Sequence, residues 1–494
     1  MDETAAAVSQ PDCPSTAPRW HAPALAIGGA VACALSFPPL ELGAGVWLAA
    51  LLWLALIGGR SSGARFRWMF ISGYLATALV VQWLTALFSV MALFLWIIPA
   101  LYFALWGLVA GLWQHSSSAT VRVLWPAITI IAMEYIRGEV APLAFTFGTL
   151  GSSQINLVGA AVAGVIGMYG VAFVVVLVAG ILLHLLRGGG VQRIAGVGLA
   201  LAIAALTALP PLHPSRAAEP LLIATLHQVE TTDAVRAPRG MGDLASATPT
   251  DLSIWPELFF QDDPRESDII AGRIRAEAAL TSAGVIVGAI RYTDPSPDLP
   301  ENSWYNAAFY YDAHGHLVGT AAKNQPIPFF SDGLPAPGVT VFDVATTRGV
   351  VRAGTAVCYD GSFQKFARRM VLAGADLLIF PTMNMQHWGA RQHRQHQRLF
   401  QMRAAETGRS VLVAAVNGPT MHALPGGAID QQSDFTRPHI LPVQPVAPHS
   451  TLYMRGGWQF APFSVAVVLA GALLRLITAI RGRLREKPRV KLFS

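Results

Sequence analysis

Charged residues are scarce in this chain, and their scarcity excludes an ordinary soluble protein. Asp, Glu, Lys and Arg together make up 13% of the 494 residues, whereas hydrophobic residues make up 53%. Soluble globular domains carry about 25% charged residues. A deficit of this size, together with long apolar runs before residue 211, predicts a membrane protein.

Cysteine is also rare, which excludes a fold held together by disulfides. The three cysteines are Cys13, Cys33 and Cys358, and the first two lie in the N-terminal tail and the first apolar run. A disulfide framework needs paired cysteines within one exported domain. Cys358 is therefore either a buried small hydrophobic residue or a working nucleophile.

Lysine is the rarest cation in the chain. Of 35 Lys and Arg residues only four are lysines, and the first 322 residues contain none. Lys323 and Lys365 are the only lysines between Pro211 and Ser450. A chain with this bias uses Arg wherever any cation will do, and a compact ammonium is suited to a developing oxyanion. Lys323 is therefore a candidate catalytic cation, the alternative being a surface lysine without a chemical role.

Eight apolar runs are candidates for membrane-spanning helices, for which a bilayer requires about 20 residues. Seven precede Pro211 and one lies near the C-terminus. The predicted spans are 23–39, 43–59, 67–88, 91–113, 120–137, 160–187, 192–210 and 461–480. The first two are short and end at a proline pair and a glycine pair, so their limits are the least well defined.

Arginine and lysine cluster on one side of the predicted spans. They follow the second span, precede the fifth, separate the sixth from the seventh and fill the C-terminal tail. By the positive-inside rule this side is cytoplasmic, which places both termini inside. The excess positive charge belongs to these loops and contacts anionic lipid, so we expect no nucleic-acid partner.

The predicted organisation has five parts. They are a cytoplasmic tail (1–22), a seven-helix transmembrane domain (23–210), an outer α/β domain (211–460), an eighth transmembrane helix (461–480) and a basic cytoplasmic tail (481–494). The α/β assignment follows from short β-branched or apolar runs that alternate with helical stretches. Residues 421–450, with Pro, Gly, His and Gln, are predicted to form a loop.

Three chemically active residues follow strand-like runs of the outer domain. Glu257, Lys323 and Cys358 each come at the end of such a run, where layered sheets present their chemistry. A base, a cation and a thiol in this order indicate amide or ester chemistry through a thioester. Glu257 is the expected base, and the N–H of Tyr359 is the expected oxyanion donor opposite Lys323. Because a predicted helix follows Cys358, we expect its dipole to lower the pKa of the thiol.

The motifs that carry these residues resemble those of a known family. Trp-Pro-Glu257, Lys323 with a following Pro-Phe329, and Val-Cys358-Tyr are similar to the Glu–Lys–Cys triad motifs of the nitrilase superfamily. Eight spans with a large domain between the seventh and the eighth resemble the membrane branch of that superfamily, the apolipoprotein N-acyltransferases.

The resemblance implies a four-layer αββα domain in the periplasm, a multi-pass protein of the bacterial inner membrane and a ping-pong reaction. Cys358 would take an acyl chain from a phospholipid, and the thioester would acylate the α-amino group of a lipoprotein's lipid-modified cysteine. No cofactor and no metal is implied. Beyond the triad, the resemblance assigns an oxyanion and support role to Tyr359 and Asp360, and substrate binding to Trp255, Phe329, Asn384 and Trp388.

Two departures from the family pattern fall at the site. The family has a second glutamate shortly after the lysine, where this chain has Ser331. Asp332, one residue further on, can replace that glutamate only if the loop shifts. The family's Cys-Tyr-Glu is Cys358-Tyr-Asp360 here, so the last carboxylate is one methylene shorter.

Three further interpretations remain open from the sequence. One is a paralogue on the same scaffold, an amidase or an acyltransferase with a different periplasmic target. Another is a scaffold protein without enzymatic activity, in which Cys358 is inert. His393 and His396, three residues apart on a predicted helix, are open to a metal site or to a basic helix face, although no carboxylate or cysteine joins them.

Overall fold

The computed structural model describes residues 21–211, 220–229, 249–434 and 439–485. The predicted N-terminal tail, apart from residues 21 and 22, and the basic tail beyond residue 485 lie outside these ranges. Within them, the chain forms a set of apolar helices and a two-sheet α/β region.

In the described part of the chain, helices occur before, within and after the α/β region. In chain order they are α1 (His21–Leu35), α2 (Gly45–Ile57), α3 (Ser62–Val80), α4 (Leu84–Phe88), α5 (Ala92–Leu95), α6 (Ile97–Ala110), α7 (Ala119–Tyr135), α8 (Leu157–Leu186), α9 (Gly190–Thr207), α10 (Asp268–Thr281), α11 (Gln364–Leu372), α12 (Gly389–Thr407), α13 (Leu452–Arg455) and α14 (Phe460–Arg485).

Five helical stretches in the described part of the chain are long and apolar enough to cross a membrane. They are Leu84–Trp113, Ala119–Val140, Leu157–Leu186, Gly190–Thr207 and Gly457–Arg481. Helices α1 and α2 are apolar but shorter, and α3 carries two arginines in its first turns. These eight helical segments lie where the eight spans are predicted, which supports a membrane protein.

The strands form two sheets of six strands each in the residues described. They are β1 (Ala224–Gln228), β2 (Leu252–Ile254), β3 (Gly284–Tyr292), β4 (Trp304–Tyr311), β5 (Leu317–Ala322), β6 (Thr340–Thr346), β7 (Gly349–Thr355), β8 (Leu377–Met383), β9 (Ser410–Val416), β10 (Met421–Ala423), β11 (Ile429–Gln432) and β12 (His439–Val443). The first sheet has the order β12-β1-β2-β3-β4-β5 and the second β11-β10-β9-β8-β7-β6. The central pairs β1-β2-β3 and β7-β8-β9 are parallel, and the outer pairs are antiparallel.

The two sheets pack face to face, and helices cover their outer faces. Leu226 and Ile286 of the first sheet share one buried cluster with Ile379 and Leu412 of the second. On the outside of the first sheet, α10 buries Ile274 against the alternate residues of β3 and β4. Helices α11 and α12 do the same for the second sheet. The result is the four-layer αββα arrangement that the family resemblance implies.

The prediction that residues 421–450 form a loop is wrong. Strands β10, β11 and β12 lie within this range and extend both sheets. They are only three to five residues long, and Pro442 sits in β12, where it faces Thr225 of β1. Proline and short polar runs are tolerated at sheet edges, where only one neighbour is paired. Strand β6 is also absent from the sequence reading, and it too occupies an edge.

The topology brings the three strand ends to one side of the two-sheet region. Glu257 follows β2 and Lys323 follows β5, both in the first sheet, whereas Cys358 follows β7 in the second. The loop between α7 and α8 of the helical half reaches this same side, where the Tyr359 hydroxyl donates to the carbonyl oxygen of Ala144 at 3.0 Å. The site is therefore built where the two halves of the chain meet.

Candidate active site

A buried ammonium between two carboxylates forms the centre of the site. Lys323 Nζ lies 2.8 Å from Glu257 Oε1 and 2.7 Å from Asp332 Oδ2, and its side chain is 1% exposed. Asn306 Nδ2 donates to Glu257 Oε1 at 2.7 Å and to Asp332 Oδ1 at 2.8 Å. The backbone N–H of Met383 donates to the other Glu257 oxygen at 2.6 Å. The glutamate is thus held by three donors, which fixes its orientation.

Electrostatics keep this lysine charged. Burial lowers the pKa of Lys323, but Glu257, Cys358 and Asp332 together outweigh burial and raise it well above its usual value. A lysine in this state is a fixed positive charge in a dry environment, which is the property required for stabilising an oxyanion.

Asp332 supplies the carboxylate that the family pattern places one residue earlier. The loop after Lys323 turns at Phe329, with φ +69°, and at Gly333, with φ +78°. A Cβ at Gly333 would lie 2.8 Å from the Asn306 backbone nitrogen, so the close approach requires glycine. The loop brings Asp332 to Lys323, and the Ile327 N–H donates to the same carboxylate at 2.8 Å. Ser331 itself is exposed.

Cys358 sits at a sharp turn beside this cluster. Its φ is +47°, it is 2% exposed, and its Sγ lies 3.7 Å from the carbonyl oxygen of Met383. A non-glycine residue in this region of φ is uncommon and strained, which is frequent at functional sites. The strain is therefore consistent with a side chain held for chemistry rather than for packing.

The expectation of a lowered thiol pKa is wrong. Burial and then the Glu257 carboxylate raise the pKa of Cys358 well above its usual value, although Lys323 and the backbone of Met383 oppose them. The residues from Cys358 to Ser362 form a single 3₁₀ turn, and α11 begins only at Gln364. The thiol consequently receives little helix dipole and is protonated at rest, so that it needs a base for activation.

Asp360 links the lysine loop to the cysteine turn. Its carboxylate accepts from the N–H groups of Asn324 at 2.9 Å and Gln325 at 2.8 Å, and from that of Val357 at 3.3 Å. Burial raises the pKa of Asp360 to about 6 in spite of these donors. Asp360 thus holds the lysine loop and the cysteine turn together, and it does not itself line the neighbouring cavity.

An apolar cavity of about 110 Å³ opens beside Cys358. The helical half contributes Trp83, Leu84, Leu87, Phe88, Leu95, Ile98, Pro99, Arg137, Leu143, Ala144, Phe145 and Phe147, and the α/β half contributes Ile327, Pro328, Phe329, Cys358, Tyr359, Trp388, Gln392 and His396. The Phe147 ring stacks on that of Tyr359 at 6.4 Å between centroids. Of the predicted substrate-binding residues, Phe329 and Trp388 lie in this wall.

Trp255 does not line the cavity. It is fully buried, stacks on His227 at 3.8 Å between ring centroids and donates through Nε1 to Ser253 at 3.0 Å. Its place in the Trp-Pro-Glu motif brings it to the outer side of the first sheet, where it packs under α10. Trp255 therefore supports the strand end that carries Glu257 instead of facing a ligand.

Asn384, predicted to bind substrate, does not line the cavity but contacts His396, which does. His396 Nδ1 and Asn384 Oδ1 are 3.1 Å apart, so the imidazole donates there and leaves Nε2 as an acceptor. Burial lowers the pKa of His396 to about 3, with Lys323 and His393 adding to the effect. The ring is therefore neutral. His393 Nε2 instead lies 3.1 Å from the carbonyl oxygen of Met385, and no metal-binding group of three side chains occurs among the described residues.

Comparisons with known proteins cover both halves of the chain. The carbon-nitrogen hydrolase family profile matches residues 203–470. The profile of the apolipoprotein N-acyltransferase N-terminal domain matches residues 29–181.

Individual relatives agree with these profiles. An apolipoprotein N-acyltransferase of Geobacter metallireducens is 26% identical over 80% of this chain and 83% of its own length. One from Gloeobacter violaceus is 26% identical over 93% of this chain and 95% of its own length. Among solved structures, a mutant of the Nesterenkonia amidase of the nitrilase superfamily is 20% identical and covers 48% of this chain and 94% of the amidase, with a TM-score of 0.39.

Proposed function

Because the chain belongs to the carbon-nitrogen hydrolase family and carries the N-terminal domain of the apolipoprotein N-acyltransferases, we propose that it acylates lipoproteins through a Glu257–Lys323–Cys358 triad. The acyl donor is a phospholipid, and the acceptor is the N-terminal amino group of a lipoprotein's lipid-modified cysteine. One observation carries the assignment of the triad: Cys358 lies beside the Lys323–carboxylate cluster and at the wall of an apolar cavity built largely by the helical half of the chain. A different reaction on the same scaffold and a non-enzymatic role are not favoured.

The first half-reaction forms the thioester. Glu257 takes the proton from Cys358 Sγ, and the thiolate attacks the ester carbonyl carbon of the phospholipid. The oxyanion that develops is stabilised by Lys323 Nζ and by the N–H of Tyr359. When the tetrahedral intermediate collapses, the carbon–oxygen ester bond breaks, and Glu257 returns the proton to the departing lysophospholipid alkoxide. The acyl chain remains on Sγ.

The second half-reaction transfers the acyl chain to an amine. The neutral amino group of the acceptor attacks the thioester carbonyl, and Glu257 accepts the proton that the nitrogen must lose. The carbon–sulfur bond then breaks, the amide forms, and the thiolate regains its proton from Glu257. The same oxyanion donors act in both half-reactions, so that Lys323, held between two carboxylates, stabilises the oxyanion in each of them.

The wall of the cavity accounts for the lipid nature of both substrates. Phe88 packs edge-on against Phe330 at 5.4 Å between centroids, and Phe330 packs against Trp388 at 6.2 Å. Exposed apolar residues continue outward from α4, with Val90 and Phe94 more than 60% exposed. An acyl chain can therefore pass from the bilayer to Cys358 without crossing a polar surface.

The proposed topology places residues 211–460 in the periplasm of a bacterial inner membrane and both termini in the cytoplasm. At Gly338 and Gly189 the space that a side chain would fill is open, so cysteines introduced there are accessible. We expect a membrane-impermeant thiol reagent to label Gly338→Cys in intact spheroplasts and to spare Gly189→Cys until the membrane is opened. The reverse pattern contradicts the topology.

Asp332 is expected to act as the second carboxylate of the site. Asp332→Asn removes one of the two negative charges on Lys323 and should lower the rate of thioester formation roughly 10²-fold, because the lysine and Asn306 lose their alignment. The rate is measured by rapid-quench mass spectrometry. Ser331→Ala, one residue away on the exposed side of the loop, is the control and should change the rate less than about twofold. Equal effects of the two substitutions would exclude this role.

The rate of thioester formation should depend on pH through the titration of Asp360. Its pKa is raised to about 6 by burial, so the carboxylate gains a proton as the pH falls through that value and loses acceptor capacity for three N–H groups. We expect the rate of thioester formation to fall with it. In Asp360→Asn the amide does not titrate, and the decline near pH 6 should disappear. An unchanged decline in this variant would assign the titration to another group.

The function itself is tested by separating the two halves of the reaction. Incubation with phospholipid alone should add the mass of one acyl chain, and hydroxylamine should remove it. Adding a peptide with an N-terminal lipid-modified cysteine should remove the adduct and yield the N-acylated peptide. An adduct that transfers only to water or to a small amine would overturn the lipoprotein acceptor while leaving the thioester in place.

A further inference from the structure

A second cavity lies at the opposite end of the membrane helices from Cys358. Its volume is about 510 Å³, and it is bounded by the C-terminal end of α2, the start of α7 and the C-terminal end of α8. Helix α7 has 17 residues, so its two ends are about 25 Å apart. Its first residue, Ala119, lines this cavity, whereas Arg137, just past its other end, lines the cavity beside Cys358. The two cavities therefore face opposite leaflets.

The rim of this second cavity is cationic. Arg122, Arg187, His115 and His184 line it, and none of the described lining residues is acidic. Arg122 donates through one nitrogen to the carbonyl oxygens of residues 116 and 117. The Arg187 guanidinium has no hydrogen-bond or ion-pair partner among the described residues, and its Nη2 lies 3.8 Å from the position that a Cβ on Gly58 would occupy. The start of α7 presents the positive end of its helix dipole to the cavity, whereas the C-terminal ends of α2 and α8 present negative ends. The charged side chains that line the cavity are nevertheless all basic, with no acidic side chain among the described lining residues.

The floor of the cavity is apolar. Leu54 and Ile57 of α2, Val123 and Pro126 of α7, and Leu183 of α8 form it. Glycine at position 180 keeps the floor open, because a Cβ there would lie 3.3 Å from Val123 Cγ1. A cationic rim over an apolar floor matches a molecule with an anionic head and a hydrocarbon body. A free inorganic anion would use only the rim.

We propose that this cavity binds an anionic phospholipid of the leaflet opposite the candidate active site. The phosphate lies between Arg122 and Arg187, and the glycerol and first methylenes lie on the floor formed by α2, α7 and α8. This lipid is bound and not consumed, since no nucleophile of the proposed triad is near it. The inference does not depend on the acyltransferase reaction.

The test measures lipid retention on the intact protein. The protein is purified in detergent, exchanged into nanodiscs of phosphatidylcholine with a minor share of phosphatidylglycerol, and released for native mass spectrometry. The variant Arg122→Gln/Arg187→Gln should retain about tenfold less phosphatidylglycerol than the parent. The control Arg67→Gln/Arg193→Gln removes the same charge from exposed arginines outside the cavity and should retain nearly as much as the parent. Thioester formation should be unchanged in both variants.

Three results would overturn the proposal. Equal losses of bound phosphatidylglycerol in the two double variants would mean that the positive surface attracts anionic lipid in general and that the cavity is not a specific binding site. Equal retention of phosphatidylcholine and phosphatidylglycerol by the parent would remove the requirement for an anionic head. Binding of inorganic phosphate by the parent, lost in Arg122→Gln/Arg187→Gln, without retention of phosphatidylglycerol would make the cavity an inorganic anion site.

Discussion

Replacing Cys358 by alanine is expected to abolish acyl transfer, with a loss of about 10⁴-fold or more in rate. The reason is that Cys358 supplies the only atom on which the acyl chain can be held between the two half-reactions. The mass gain on incubation with phospholipid should be absent in Cys358→Ala. Cys358→Ser should be nearly as inactive, because Glu257 would have to deprotonate a hydroxyl that is far less acidic than a thiol.

The chain offers a matched control for this experiment. Cys33 is as buried as Cys358, at 2% exposure, but lies among the membrane helices. Cys33→Ala should keep the full mass gain and the full rate of transfer. If Cys358→Ala still gains a hydroxylamine-sensitive acyl chain and Cys33→Ala does not, the proposed nucleophile is wrong. Loss in both variants would indicate damage to the fold and would be recognised by a lowered Tm.

Replacing Lys323 by methionine is expected to remove both activity and stability. Glu257 and Asp332 would then face each other without a cation, and breaking such a buried arrangement costs about 3–5 kcal/mol. For an α/β region of this size the loss corresponds to a fall of roughly 10 °C in Tm. The rate of thioester formation should fall about 10²–10³-fold, because the main oxyanion donor is gone. Differential scanning fluorimetry and the acyl-adduct assay provide the two readouts.

A double variant distinguishes an electrostatic origin of the stability loss in Lys323→Met from a packing origin. Adding Asp332→Asn to Lys323→Met removes one of the unpaired carboxylates, so the double variant should be more stable than Lys323→Met alone while remaining inactive. Lys365→Met is the control: that lysine is half-buried over the rings of Phe363 and Phe366 and should lose little. Additive losses in the double variant would mean that Lys323 stabilises by packing, and the electrostatic account of the site would fail.

The sequence predicts those parts of the candidate site that depend only on neighbouring residues along the chain. Glu257, Lys323 and Cys358 come directly after apolar runs, and such runs become strands whichever partner they find. Glu257 and Lys323 follow strands of one sheet, whose ends gather at one edge, whereas Cys358 follows a strand of the second sheet and meets them because the two sheets pack face to face. The sequence does not predict the edge strands β6, β11 and β12 or the short strand β10 next to an edge, because their short and mixed sequences become strands only through the neighbours that they pair with.

What the sequence could not predict depends on distances between segments. Asp332 reaches Lys323 because the backbone at Phe329 and Gly333 adopts positive φ, and residue types alone do not fix a one-residue shift of a loop. The direction of the Cys358 pKa was wrong because a helix following a thiol is visible in the sequence, whereas complete burial beside a carboxylate is not. The family resemblance assigns Trp255 to substrate binding, but alternation along the strand end directs its side chain to the outer side of the first sheet.

The hydrogen bond from the Tyr359 hydroxyl to the Ala144 carbonyl, and the Phe147 ring stacked on Tyr359, show that the loop between α7 and α8 forms part of the cavity wall next to Cys358. In the proposed reaction, water and the acceptor amine compete for the thioester on Cys358. A cavity wall from the helical half would limit the access of water from the aqueous side and favour an amine that arrives from the bilayer. The partition between acyl transfer and hydrolysis would then depend on the contact between the two halves of the chain.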